Sequence, residues 1–135
     1  MLKKSMLIAM SFAHVSVLAF ASQIQAKPSQ EIAQRVDCKN ANTTVEINYC
    51  AAESYRAADR RLNDVYRQLS STVRGEEKNK LIDAQVTWIQ YRDRNCSFET
   101  FANKGGTGYS TFLLSCLERM TRQRTADFEQ FMNSR

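Results

Sequence analysis

From Thr43 onward the apolar residues return every three or four positions, and polar residues fill the gaps. Ile47, Ala51, Tyr55, Ala58, Leu62, Val65, Tyr66, Leu69 and Val73 make one such stripe. That is the spacing of a helix with a single buried face. Thr43 can cap its first turn, and Glu46, three residues on, can reach back to complete a capping box. Gly75 marks its end. A second helix is predicted from about Glu77 to about Ala102, with Leu81, Ala84, Trp88, Tyr91 and Phe98 near one face and Asp83, Gln90 and Arg94 away from it. Asn103 to Gly108 reads as a loop. A third helix starting near Ser110 carries Leu113, Leu117, Met120, Phe128 and Phe131 at helical steps. No alternating strand pattern competes over any long stretch.

Helices of roughly 30, 26 and 22 residues with short connections favour antiparallel neighbours. The expected fold is therefore all-α, an up-down-up three-helix bundle whose first helix is over-long. The segment from about Lys27 to Asn42 is expected to fold back over the projecting end of that helix.

Ahead of the helices the order is basic Lys3-Lys4, an apolar run from Met6 to Ala21, and a short polar stretch ending in Ala26. This is the order of a cleavable export signal. The apolar run, about 16 residues, is shorter than the roughly 20 a membrane-spanning helix needs, so removal is expected rather than retention as an anchor. Cleavage is expected after Ala26, with Ala21 as the second choice. The chain is thus expected to divide into a signal (residues 1–26), an arm (27–42) and a helical domain (43–135).

Removing 26 of 135 residues leaves 109, enough for one small domain. A domain of that size buries only about two thirds of its unfolded surface, so covalent staples help. Cys38, Cys50, Cys96 and Cys116 supply two in an oxidising compartment. Four cysteines allow three connectivities. Geometry favours Cys38 with Cys50, which fastens the arm, and Cys96 with Cys116, which stand at similar height on either side of the second hairpin.

Charge and chemistry narrow the function. Without Lys3 and Lys4 the exported chain has 17 basic and 14 acidic residues, a net charge of +3 with no long same-sign run. Nothing in this pattern favours nucleic acid. The cysteine spacings of 12, 46 and 20 contain no Cys-x-x-Cys, and the single histidine, His14, lies in the signal. Neither a metal nor a cofactor is implied. The commonest general base is missing, and carboxylate pairs such as Glu76 with Glu77 or Asp59 with Asp64 are spread over polar faces. A thin bundle also offers no deep cleft. The chain reads as a binder, not an enzyme.

Two groups of residues are candidates for a site. Gln85, Arg92 and Arg124 sit on or beside buried stripes, where a guanidinium needs carboxylates or carbonyls to offset desolvation. Asp59 and Asn63 are the expected partners, giving an interhelical polar network beside Trp88. Trp88, which with Tyr66 and Tyr91 could instead form a recognition surface, is read as core. The second group is the loop: Lys104, Gly105, Gly106, Thr107 and Tyr109 combine a free backbone, a cation, a hydroxyl and an aromatic. They are the candidate partner-binding residues, set against the plain reading of a hairpin connection.

The segment from Leu81 to Cys96, Leu-Ile-Asp-Ala-Gln-Val-Thr-Trp-Ile-Gln-Tyr-Arg-Asp-Arg-Asn-Cys, resembles the signature of the LprI-type lysozyme-inhibitor family of exported bacterial proteins. Asp37-Cys38, Glu46, Cys50-Ala51, Asp59, Leu62-Asn63 and Tyr66 resemble its first half. Gly105-Gly106-Thr107, Cys116, Thr121 and Arg124 resemble its second. The resemblance spans roughly Asp37 to Phe131, and it implies a helical envelope domain associated with inhibition of lysozyme. The lipid-attachment cysteine of lipoprotein members is absent. The expected protein is periplasmic or secreted, with no stable membrane anchor after cleavage and a protein partner such as a lysozyme or other muramidase. Two alternatives stay open: an immunity protein against a cell-wall-attacking toxin, and a structural or stress-related envelope component without a hydrolase target.

Overall fold

A computed structural model describes residues 36–135, so the expected export signal and the arm up to residue 35 lie outside the described residues. Helix α1 spans Thr44–Thr72, α2 Gly75–Glu99 and α3 Tyr109–Asn133, with a short 3-10 turn at Phe101–Asn103. The fold is the all-α bundle, and no strand occurs among the described residues.

Each of the first two helices begins for a local reason. Thr43 is the N-cap of α1: its hydroxyl accepts from the Glu46 amide, and the Glu46 carboxylate accepts from the Thr43 amide, so the capping box is complete. The turn into α2 is tighter than the glycine alone implied. α1 stops at Thr72, Val73 and Arg74 are extended, and Gly75 opens α2 with φ +55 instead of closing α1. That left-handed conformation suits glycine, which has no Cβ to collide with its own carbonyl. Glu76 and Glu77 then place negative charge at the helix start, where the backbone dipole favours it.

The cross-helix contacts set the topology. Asn48 meets Thr111, Ser54 meets Glu118 and Arg61 meets Glu129, so α1 and α3 run parallel. Glu77 meets Arg135, Gln85 meets Arg124 and Glu99 meets Arg119, so α2 runs antiparallel to α3. The α1–α3 seam is the most extensive contact in the bundle, and α2 docks less closely onto α3.

The core is lopsided along this axis. Leu62, Val65, Leu69 and Val73 of α1 pack with Phe128 of α3, backed by the partly buried Tyr66, Leu81, Trp88 and Met132. All lie toward the end where α1 and α3 finish. The other end buries Cys96, Cys116, Thr100 and Thr121, small or polar groups that bring little apolar area. Covalent links take over there. Cys96–Cys116 joins α2 to α3, and Cys38–Cys50 ties the segment before α1 back onto its second turn, each with a Cα separation of 5.6 Å. A turn in which Asp37 accepts from the Lys39 amide and the Asn40 side chain shapes that segment.

The stripe expected for α2 is corrected by the structure. Tyr91 is 59 % exposed and Phe98 83 % exposed. Cys96 is fully buried, and two residues further on a helix has turned about 200°, which carries Phe98 to the opposite side. Arg92, not Tyr91, occupies the inward position. Ile47 and Phe131, at the two ends of their stripes, are also more exposed than the periodicity implied, since neither has a neighbour helix fully covering it.

Because the Cys96 end has little apolar area, Cys96→Ala/Cys116→Ala should remove about 3 kcal/mol. Amide exchange should quicken first around residues 92–104, while the Leu62–Leu69 segment keeps its protection. A second expectation concerns pH. Burial pushes the Glu118 carboxyl up, but the Ser54 hydroxyl and Arg122 more than offset this and leave it below its ordinary 4.5. A carboxyl lowered on folding contributes stability above its unfolded value and loses it as pH falls through the folded one. Thermal melting should therefore weaken below about pH 4.5, and Glu118→Gln should flatten that acid limb.

Candidate functional site

The polar residues singled out on the three helices meet in one layer above the apolar core. Arg92 is 7 % exposed and is the only buried charged residue among those described. Its Nε donates to Asp93 at 2.9 Å and its Nη1 to the buried Thr121 hydroxyl at 3.3 Å, with Asp59 of α1 4.0 Å away. The guanidinium also lies over the rings of Trp88 and Tyr55, 5.2 and 5.7 Å from their centroids. Arg124 reaches the same Trp88 ring from α3, sits 4.3 Å from the Phe128 centroid, and donates to Gln85 at 3.2 Å. Asn63 does not touch Arg92; its amide donates to the Asp59 carboxylate and carbonyl, which orients that carboxylate.

Half-buried Trp88 is thus an aromatic spacer between two guanidiniums. Burial lowers the pKa of Arg124, partly countered by Asp127, and burial raises that of the Tyr55 hydroxyl, against the pull of Arg92. Every buried side-chain nitrogen and oxygen among the described residues has a hydrogen-bond partner. A layer whose buried groups are all satisfied in this way positions helices.

The loop is a different environment. Residues 101–107 are all exposed, and Gly105 takes φ +86. Lys104 and Thr107 project from this tip, whereas Tyr109 is half-buried as the first residue of α3, its amide donating to the Gly106 carbonyl at 3.1 Å. The loop is anchored from below: Thr100 is buried, and its hydroxyl donates at 2.7 Å to the carbonyl of the disulfide-linked Cys96.

A family model described as Lysozyme inhibitor LprI matches residues 37–128. The chain belongs to the LprI family. An uncharacterized protein of Rhizobium meliloti (strain 1021) is 33 % identical over 111 residues, which cover 73 % of this chain and 80 % of that one. No solved structure matches. The LprI match takes in all four cysteines, the Arg92 layer and the loop, and it stops at Phe128 before the last turn of α3. The matched span therefore contains the stapled scaffold together with its polar layer.

Sequence reasoning missed two surfaces of this LprI fold. One is an open crevice of about 380 Å³ at the end of the bundle where α1 turns into α2, floored by Leu69, Val73, Leu81 and Phe128 and rimmed by Lys80 and Asp127. Periodicity could not reveal it, because its lining comes from all three helices. The other is the outward line of Tyr91, Arg94, Phe98 and Phe101. The signal for that one was present: with Cys96 placed inward, Phe98 has to face out.

Arg92→Met should cost about 1–3 kcal/mol in urea denaturation, through lost charge-assisted hydrogen bonds and ring contacts. Asp59 and Asp93 remain solvated, so no orphan buried charge adds to the loss. Arg92→Lys should not rescue it, because an ammonium cannot lie flat between two rings while reaching Asp93 and Thr121.

Proposed function

We propose that this protein is an exported inhibitor that binds a cell-wall muramidase and blocks its cleft. The observation that carries the reading is the LprI lysozyme-inhibitor match over residues 37–128. One structural feature supports it. Both disulfides are of the kind that persists in an oxidising, extracytoplasmic space. Among the described residues no helix is long and apolar enough to cross a membrane. The signal at residues 1–26 supplies the route of export in this reading.

The protein acts by binding and not by catalysis. Its one histidine lies in the signal segment, and its four thiols are paired. The buried polar atoms inside the bundle all have hydrogen-bond partners, Arg92 in Asp93 and Thr121 and Arg124 in Gln85. In this reading the loop residues Lys104, Gly105, Gly106, Thr107 and Tyr109 lie at the contact with the enzyme, and Asp59, Asn63, Gln85, Trp88, Arg92 and Arg124 hold the scaffold that presents them.

Purified protein lacking residues 1–26 should slow the clearing of a peptidoglycan suspension by at least one of four enzymes: a chicken-type, a goose-type or a phage-type lysozyme, or a bacterial lytic transglycosylase. Full activity of all four at a hundredfold molar excess would exclude the proposal.

A further inference from the structure

The outer face of α2 and the turn after it carry an unusual line of side chains. Tyr91, Arg94 and Phe98 follow at steps of three and four residues, one per turn of α2, and so share a side, and Phe101 in the 3-10 turn lies in one depression with Arg94 and Phe98. Phe98 is 83 %, Phe101 69 % and Tyr91 59 % exposed. One shallow depression is lined by Asp93, Arg94, Ser97, Phe98 and Phe101, and a second by Tyr91, Arg94 and Phe98 among more polar neighbours. The shared residues make them one surface. It runs into the loop, where the Lys104 amide donates to the Phe101 carbonyl at 3.1 Å.

The charges along this ridge are not balanced. Arg94 and Lys104 make no ion pair among the described residues. The two nearby carboxylates are already engaged: Asp93 with Arg92 at 2.8 Å, and Glu99 with Arg119 at 2.7 Å. The surface is therefore aromatic with two unpaired cations, and Asp93, the carboxylate that lines it, is held by Arg92. The aliphatic strip of Ile82, Val86 and Ile89 elsewhere on α2 is exposed too, but it has no such charge signature.

The ridge is also held in place before any partner arrives. Cys96–Cys116 fixes the helix beneath it, and the buried Thr100 locks the turn between Phe98 and Phe101. Aromatic side chains have few rotamers to lose, so a rigid aromatic line binds at small entropic cost. Exposed rings flanking an arginine are the composition of binding hot spots.

We propose that the ridge Tyr91–Arg94–Phe98–Phe101, with Lys104 at its tip, is the surface that enters the acidic, sugar-binding cleft of a glycan hydrolase. This rests on the inhibitor reading above and assigns its contact. A glycosidase cleft exposes a pair of carboxylates, which Arg94 and Lys104 complement, while the rings fill space otherwise taken by sugar rings. The loop alone offers one cation, one hydroxyl and one half-buried ring; the ridge supplies the apolar area that a stable complex needs.

The test compares the full exported chain with three variants: Phe98→Ser/Phe101→Ser, Arg94→Gln/Lys104→Gln, and Val86→Ser/Ile89→Ser as a control face. All the altered side chains are exposed, and circular dichroism with a count of zero free thiols checks that each folds. Inhibition constants are measured against the four enzymes named above. The two ridge variants should raise the constant about 30-fold or more, and the control should stay within about threefold. Raising salt from about 50 to about 300 mM should weaken wild type and leave Arg94→Gln/Lys104→Gln almost unaffected. Wild-type inhibition that survives both ridge variants within about threefold would overturn this inference while leaving the inhibitor function standing. Ridge-dependent binding to phosphatidylglycerol vesicles, with no enzyme bound, would assign the surface to membranes and overturn it as well. Loss of the parent reading is distinct: wild type would then inhibit none of the enzymes, and the contact would fall with it.

Discussion

One covalent bond decides what this molecule shows to its surroundings. Cys96–Cys116 pins the rotation of α2 against α3, and an α-helix pinned at one residue has no freedom about its axis nearby. With Cys96 inward, Arg92 one turn earlier must also be inward, which explains why a charged residue is the most buried group of α2 after the cysteine itself. The same rotation sends Phe98 and Tyr91 outward. The buried guanidinium and the exposed aromatic ridge are two consequences of a single register.

The polar layer makes that register tolerable. A buried arginine is costly unless its donors find partners. Here Asp93, Thr121 and Asp59 take them, and the faces of Trp88 and Tyr55 cover the plane. The layer draws on all three helices, so it aligns α1, α2 and α3 at one height. Below it, Leu62, Val65, Leu69 and Phe128 close an apolar core that stabilises the bundle. Above it, where apolar area is small, the staples and the threonines keep the hairpin end rigid.

This division of labour fits a protein whose work is to hold a partner. The apolar end supplies stability through the α1–α3 seam, and the stapled end presents rings, cations and a glycine loop without needing a core of its own. Rigidity at the presenting end favours binding because little conformational freedom is left to lose.

Much of this was legible along the chain. The α1 stripe, the Thr43–Glu46 cap and the three helices follow from spacing, since local periodicity and capping chemistry act within a few residues, whereas spacing alone left three cysteine pairings open and hairpin geometry only favoured the two that form. What stayed hidden was the face that α2 turns to its neighbours. Tyr91, Trp88 and Phe98 all lie within a broad apolar arc, and hydrophobicity alone does not say which side of that arc is covered. Only packing against α3, through a bond between residues twenty apart, chose Trp88 for the interior and left Tyr91 and Phe98 outside. The crevice at the α1–α2 turn is tertiary for the same reason: residues of all three helices line it, and no single segment of the chain encodes how three helices meet.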